Sequence, residues 1–185
     1  QFSQMYPPSD IICSKDPQYG FWTFFNIKNG NRVVFSFDPE IKYTKSSVPQ
    51  LVDLIISDQC FNKCDYCYRG CGPDGKFAHI NQISDYLYKL NQIGTLEIAI
   101  GGGDLLCYPF LDELCECVRE YINNCKLAIN TTIRIPNNYN KKIHKILKSK
   151  IERVVESFNS VAFSISDLHN LTTAELFMNC NSSIQ

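Results

Sequence analysis

No apolar run in the sequence approaches the ~20 residues that a helical membrane span needs. Its first residues also lack the basic segment, apolar stretch and cleavage site of a leader. Charge imbalance is missing as well: 18 Lys and Arg stand against 19 Asp and Glu, a formal net charge of −1. That balance gives no overall attraction to nucleic acid or anionic lipid, so such a partner would need a local patch. Histidine is scarce, and His79 and His169 are isolated from any ligand spacing. The composition of a disordered chain is absent too, because 44% of the residues are apolar and 20% charged. What remains is 185 residues, enough for one domain with a real core, and the expected location is cytoplasmic. Gln1 stands where an initiating Met would, and little follows the last strand–helix pattern, so the chain reads as a fragment.

Cysteine is abundant, at ten residues. Secreted disulfide scaffolds are usually shorter and richer in loops, whereas this chain alternates strand and helix patterns, so a reducing compartment fits better. Cys115 falls on the apolar helical face of Leu111, Leu114, Val118 and Ile122, where a thiol acts as a small hydrophobe. Cys13, Cys107, Cys117, Cys125 and Cys180 have no mutual metal spacing, and packing roles are their default.

The organisation divides near residue 48. Residues 1–20, with Pro7, Pro8, Pro17 and Gly20, read as an irregular arm. The aromatic and β-branched runs Phe21–Ile27 and Arg32–Phe37 flank Asn29-Gly30 and predict a β-hairpin extension, followed by a linker. Residues 49–185 then predict an α/β core of about four βα units. Leu51–Ile56 is an apolar run of the kind found in a parallel strand covered on both faces. Ile80, Ile83, Leu87, Leu90 and Ile93 recur at helical spacing, and Gly94 is placed to stop that helix. Further strands are expected over 96–100, 126–135 and 161–166, with helices over 111–122, about 143–154 and 172–178. Strands joined by helical crossovers make part of an α/β barrel or an open parallel sheet. Lys141, Lys142, His144, Lys145, Lys148, Lys150 and Arg153 give one helix a basic side, read as a solvated face because the opposite side is apolar.

The chemistry concentrates just after the first of these parallel strands. Cys60, Cys64 and Cys67 form C-x3-C-x2-C on one loop. Soft thiolates favour iron–sulfur clusters and zinc, and three of them match a four-iron cubane with one iron left open. Gly101-Gly102-Gly103-Asp104 follows the second strand. In parallel α/β sheets the loops leaving the carboxyl ends of strands form the binding face, which puts the cysteine loop and the glycine turn together. Glycines there would let a ligand approach the backbone closely. Cys71 extends the series to C-x3-C-x2-C-x3-C, so a fourth thiol could close the cluster.

With Tyr66 in the aromatic place, C-x3-C-x-aromatic-C resembles the signature of the radical S-adenosylmethionine superfamily. Gly102-Gly103-Asp104-Leu105 resembles the Gly-Gly-Glu-Pro turn of that family, with Asp for Glu and Leu for Pro. The resemblance covers roughly Val52–Asp167 and implies a partial (β/α) barrel, incomplete at its carboxyl end. It implies a [4Fe–4S] cluster on Cys60, Cys64 and Cys67. The open iron would hold S-adenosylmethionine, which is cleaved reductively to a 5′-deoxyadenosyl radical that abstracts hydrogen from a substrate. By the same resemblance Tyr66 borders the adenine, and Gly101, Gly102, Gly103 and Asp104 receive the methionine end. Ser164 and Ser166 stand where polar contacts to the ribose or carboxylate are common, and a flavodoxin- or ferredoxin-like protein is the expected electron donor. The substrate is not identified. Two rivals stand beside this reading: a closed iron–sulfur or zinc protein with Cys71 as fourth ligand, and a degenerate relative that only binds a partner.

Overall fold

The computed structural model describes residues 10–43, 45–62, 64–125, 127–134, 141–164 and 182–184, without the side chains of 141–145 and 182–184. Three antiparallel strands come first, β1 (Ile11–Lys15), β2 (Trp22–Asn26) and β3 (Arg32–Phe35), in that spatial order. The hairpin expected from Asn29-Gly30 is β2–β3. Its turn is fixed by Asn26, whose Oδ1 accepts from Lys28 N at 2.9 Å, and by Gly30 at φ +71°. The irregular arm is corrected in part, because it contains β1. Ile11–Lys15 pairs with β2 along its whole length. A five-residue edge strand has too little periodicity to announce itself, and its partner strand decides its conformation.

The second sheet contains β4 (Leu51–Ser57), β5 (Glu97–Gly102), β6 (Ala128–Arg134), β7 (Ser160–Ser164) and β8 (Ser182–Ile184), all parallel and in sequential order. Helices α1 (Ile80–Gln92), α2 (Leu111–Cys125) and α3 (Lys141–Ser157) connect the first four. A fifth strand was not expected from Ser182-Ser183-Ile184, which is too short and polar to carry a pattern. The expected helix over 172–178 lies outside the described residues. A partial parallel β/α fold therefore stands, and no strand pairing closes it into a barrel among the described residues.

α1 packs on α2 and α2 on α3, so the three helices share one face of the sheet. Ile98, Ile100, Ile129, Ile133, Val161 and Phe163 meet them there, fully buried with Leu87, Leu114 and Val154. The other face is not covered in this way, which corrects the expectation for β4. Its alternate residues Leu51 and Ile55 remain 51% and 39% exposed, so the apolar run is half core and half wall of a cavity. Phe25 of the antiparallel sheet packs with Leu96 and Ala128. Arg32 meets Glu97 at 3.7 Å and Gln50 at 3.2 Å. The small sheet is thereby fastened across the amino ends of the parallel strands and leaves their carboxyl ends for the cysteine loop.

Among the described side chains of the basic side of α3, two reach neighbouring elements and one pairs within the helix. Arg153 pairs with Asp112 at 2.9 Å and Glu116 at 3.1 Å on α2, Lys148 with Glu152, and Lys150 Nζ donates to Leu106 O at 3.0 Å. The side chains of Lys141, Lys142, His144 and Lys145 lie outside the described residues. No helix among the described residues is long and apolar enough to cross a membrane.

Candidate active site

Beyond Ser57, where β4 ends, the chain runs on as a pinned segment before the loop opens. On one side Gly103 N donates to Ser57 O at 2.7 Å and Asp104 N to Gln59 O at 3.0 Å. On the other, the chain returns after the cysteines: Asp58 N donates to Lys76 O at 2.7 Å, Gly72 N to Asp58 O at 3.1 Å and Cys60 N to Gly72 O at 2.9 Å. Three glycines make this close packing possible. A Cβ on Gly102 would strike the Ser57 carbonyl, one on Gly103 that of Gln59, and one on Gly75 that of Asp58. Gly102 also takes φ +136°, which a side chain disfavours. The backbone that approaches Gly102 and Gly103 so closely is thus the base of the cysteine loop itself. At Gly101 an added Cβ would meet only the end of Ile55 at 3.9 Å.

Cys60, Cys64 and Cys67 line one cavity of about 710 Å³ together with Tyr66, and Gly101, Gly102, Gly103 and Ser164 border the same space. Its walls include the alternate residues of β4 to β7 that face away from the helices, several of them small, such as Ala99, Ala162 and Ser160. Asp104 is not on that surface. Its carboxylate is buried, accepting from Leu106 N at 3.1 Å and from Asn62 Nδ2 at 2.8 Å, and burial moves its acidity toward the neutral form. Ser166 lies outside the described residues.

The thiols differ in their surroundings. Burial pushes Cys60 up, although Asn62 N donates to its Sγ at 3.5 Å. The backbone N–H groups of Cys71, Arg69 and Gly70 lower the pKa of the exposed Cys67 from its ordinary value. Such a ring of backbone donors stabilises a thiolate. Cys71 is absent from the cavity wall. It sits with Asp58, whose Oδ1 is 4.0 Å away, and with Arg69, which pairs with the same Asp58 at 2.6 Å.

Two residues of this region carried no functional signal in the sequence. Arg134, the last residue of β6, lines the cavity and donates from Nη2 to the Tyr66 hydroxyl at 2.5 Å, with its guanidinium 5.3 Å from the ring centre. One arginine ending a strand looks like any solvated charge until the fold brings the loop to it. Cys107, which spacing set aside, is close enough to Cys60 to feel its charge and is not on the cavity wall. Burial and then the Asp104 carboxylate push its thiol up to about 12.

Among the described residues no three His, Cys, Asp or Glu side chains converge closely enough to form a metal site. The donor set nevertheless fits a thiolate-ligated cluster in its chemistry. Three cysteines free of disulfides open onto one roomy cavity, and the acidity of Cys67 is shifted toward the ligand form by backbone N–H groups. To hold the group, the loop would have to draw the three sulfurs inward.

Fold and site together define a parallel α/β chain with a thiol-bearing loop and a glycine turn at the carboxyl ends of its strands. Solved structures of SuiB from Streptococcus suis share this fold. With SuiB bound to S-adenosylmethionine the TM-score is 0.56 at 16% identity, covering 84% of this chain and 46% of that one. A second SuiB structure gives 0.55 at 15%, with 84% and 45% covered. SuiB bound to the precursor peptide SuiA gives 0.48 at 11%, with 95% and 71% covered. The chain thus spans less than half the length of the first two. No protein-family model matches the chain, and no curated protein does.

Proposed function

We propose that the chain is the cofactor-binding part of a radical S-adenosylmethionine enzyme, with Cys60, Cys64 and Cys67 holding a [4Fe–4S] cluster. One observation carries the reading: the three cysteines and the glycine turn face a single cavity at the carboxyl ends of parallel strands. That a protein of the same fold has been seen with S-adenosylmethionine supports it. When bound, such a cluster supplies the electron for reductive cleavage of the sulfonium. The chain's own residues bind and orient. The pinned segment Ser57–Cys60 sets where the loop starts, Asn62 ties the loop to Asp104 at the end of the glycine turn, and backbone N–H groups make the Cys67 thiol more acidic. Gly101 leaves the sheet surface open for the cofactor, and Tyr66 and Ser164 border it. The hydrogen abstraction, the substrate and a flavodoxin- or ferredoxin-like donor belong to the whole protein. Cofactor chemistry of this kind asks the protein for placement and for exclusion of water.

A closed cluster with Cys71 has one observation in its favour, the electrostatic coupling of the Cys71 and Cys67 thiols, which stand four residues apart on the same loop. Its place beside Asp58 and Arg69, off the cavity wall, speaks against it. The test is the anaerobic reaction of reconstituted, reduced protein with S-adenosylmethionine. Release of 5′-deoxyadenosine and methionine is expected. A protein that keeps its cluster but releases neither, also when extended to the length of its structural neighbours, would leave the closed-cluster reading in possession.

A further inference from the structure

We infer that the floor of the cavity holds the charged end of an aliphatic ammonium ion, with Asp53 as its carboxylate and Asn130 as its second acceptor. The inference rests on the function proposed above and deepens it by naming a group of the substrate. Asp53, Ala99 and Asn130 form one row across β4, β5 and β6, because Asp53 pairs with Ala99 and Ala99 with Asn130. All three line the cavity. Their row lies two residues below that of Ile55 and Gly101, ~7 Å toward the amino ends of the strands.

This row offers acceptors on either side of a gap. An ionised carboxylate can only accept, and among the described residues no donor or cation pairs with Asp53. The orientation of Asn130 is forced, since its Nδ2 donates to Glu97 Oε1 at 2.7 Å. Its Oδ1 is thereby left as an acceptor, and among the described residues no donor meets it. Glu97 is answered by Arg32 at 3.7 Å, so the uncompensated carboxylate on this part of the wall is Asp53. Ala99, between the two acceptors, carries only a methyl group. Across it the Cα atoms of Asp53 and Asn130 stand two strand spacings apart, ~9.6 Å, a gap that one nitrogen donating two bonds of about 2.8 Å fills when both side chains lean toward it. The surroundings are aliphatic: Leu51 and Ile55 flank Asp53 on the same face of β4, both partly exposed to the cavity, so a methylene stem can lie along Ile55. Arg134, the cation of the wall, is four residues up β6 from Asn130, ~13 Å away along the strand. An ammonium divides its N–H bonds between separate acceptors, whereas the flat guanidinium fork suits both oxygens of one carboxylate.

The test follows the Ala99 methyl signal by NMR in alanine-labelled protein, cluster-loaded and cluster-free, as n-pentylammonium, n-pentanol or n-butylguanidinium is added. The parent is compared with Asp53→Asn, which keeps the shape of the side chain and removes its charge. Asp85→Asn serves as control, on α1 and away from the cavity. A saturable shift with n-pentylammonium is expected, absent with n-pentanol, weakened roughly tenfold or more in Asp53→Asn and unchanged in Asp85→Asn. A response to n-pentanol as strong as to the amine, ammonium binding unweakened in Asp53→Asn, or no saturable shift in either form of the parent overturns the proposal. Equal or tighter binding of n-butylguanidinium overturns the choice of an ammonium. Release of 5′-deoxyadenosine from S-adenosylmethionine by the same loaded protein is scored separately. Ammonium binding without that release keeps the subsite and removes the function proposed above, and release without ammonium binding does the reverse.

Discussion

Asn62 Nδ2 donates to the buried carboxylate of Asp104 at 2.8 Å, tying the loop between Cys60 and Cys64 to the residue that ends the glycine turn. The second oxygen of Asp104 accepts from Leu106 N at 3.1 Å and so caps the short 3-10 turn Leu105–Cys107. One side chain therefore sets two adjacent segments at once. Its partners are on the protein, and the geometry gives it the work of positioning the loop.

Asp104→Ala should leave Leu106 N and the Asn62 amide without their acceptor in a buried place, a loss on the order of 1–3 kcal/mol. Denaturant unfolding checks the stability, and iron analysis after desalting checks how well the loop keeps its cluster. Asn62→Ala is expected to lower iron retention with a smaller loss of stability. If both variants hold iron as firmly as the parent, the tie between Asn62 and Asp104 has no bearing on the loop.

The glycines should separate by position. Gly102→Ala forces a Cβ onto the Ser57 carbonyl at a positive φ, so the base of the loop must move, and a loss above ~1 kcal/mol is expected. Gly72→Ala, with nothing within 4 Å of the added carbon, should stay within about 0.5 kcal/mol of the parent. Gly101→Ala is expected to fold normally while weakening S-adenosylmethionine, because its methyl enters the cavity wall. Thermal unfolding and ligand titration of the three proteins make the comparison, and equal behaviour of Gly102→Ala and Gly72→Ala would refute the packing argument.

Asp16 gives a pH dependence remote from the site. Its burial opposes ionisation, yet bonds from Ser47 N, Tyr19 N, Ser47 Oγ and Gln18 N outweigh it and lower the carboxyl to about 2. A carboxyl depressed in the folded state adds stability above its unfolded value near 4 and loses that contribution as pH falls toward about 2. Unfolding midpoints taken from pH 6 down to pH 2 should therefore decline over that window. In Asp16→Asn the starting stability should be lower and this decline shallower. An identical slope in parent and variant would show that Asp16 does not govern the acid limb.

Much of the architecture was legible because parallel strands and their helices repeat apolar residues at fixed periods. Leu51–Ile56, the helical spacing of Ile80 to Ile93 and Gly94 at φ +88° fall where such patterns place them. β1 was hidden, since Ile11–Lys15 becomes a strand through β2 and has no pattern of its own. The open face of β4 was hidden for a different reason: an apolar run tells that burial is available but not on which side. In the site, cysteine spacing and the glycine triplet pick out residues that line one cavity. The direction of Asp104, the contact of Arg134 with Tyr66 and the nearness of Cys107 to Cys60 depend on segments distant in sequence, to which a local pattern is blind.

The central claim is that three cysteines, and not four, hold one cluster on this loop. Anaerobic reconstitution of the parent and of the single Ala variants of Cys60, Cys64, Cys67 and Cys71, followed by iron and sulfide analysis, tests it most directly. About four irons and four sulfides per chain are expected in the parent and in Cys71→Ala, and no stable cluster in the other three. A parent that takes up one zinc instead, or a Cys71→Ala protein that loses the cluster along with the other three, would contradict it.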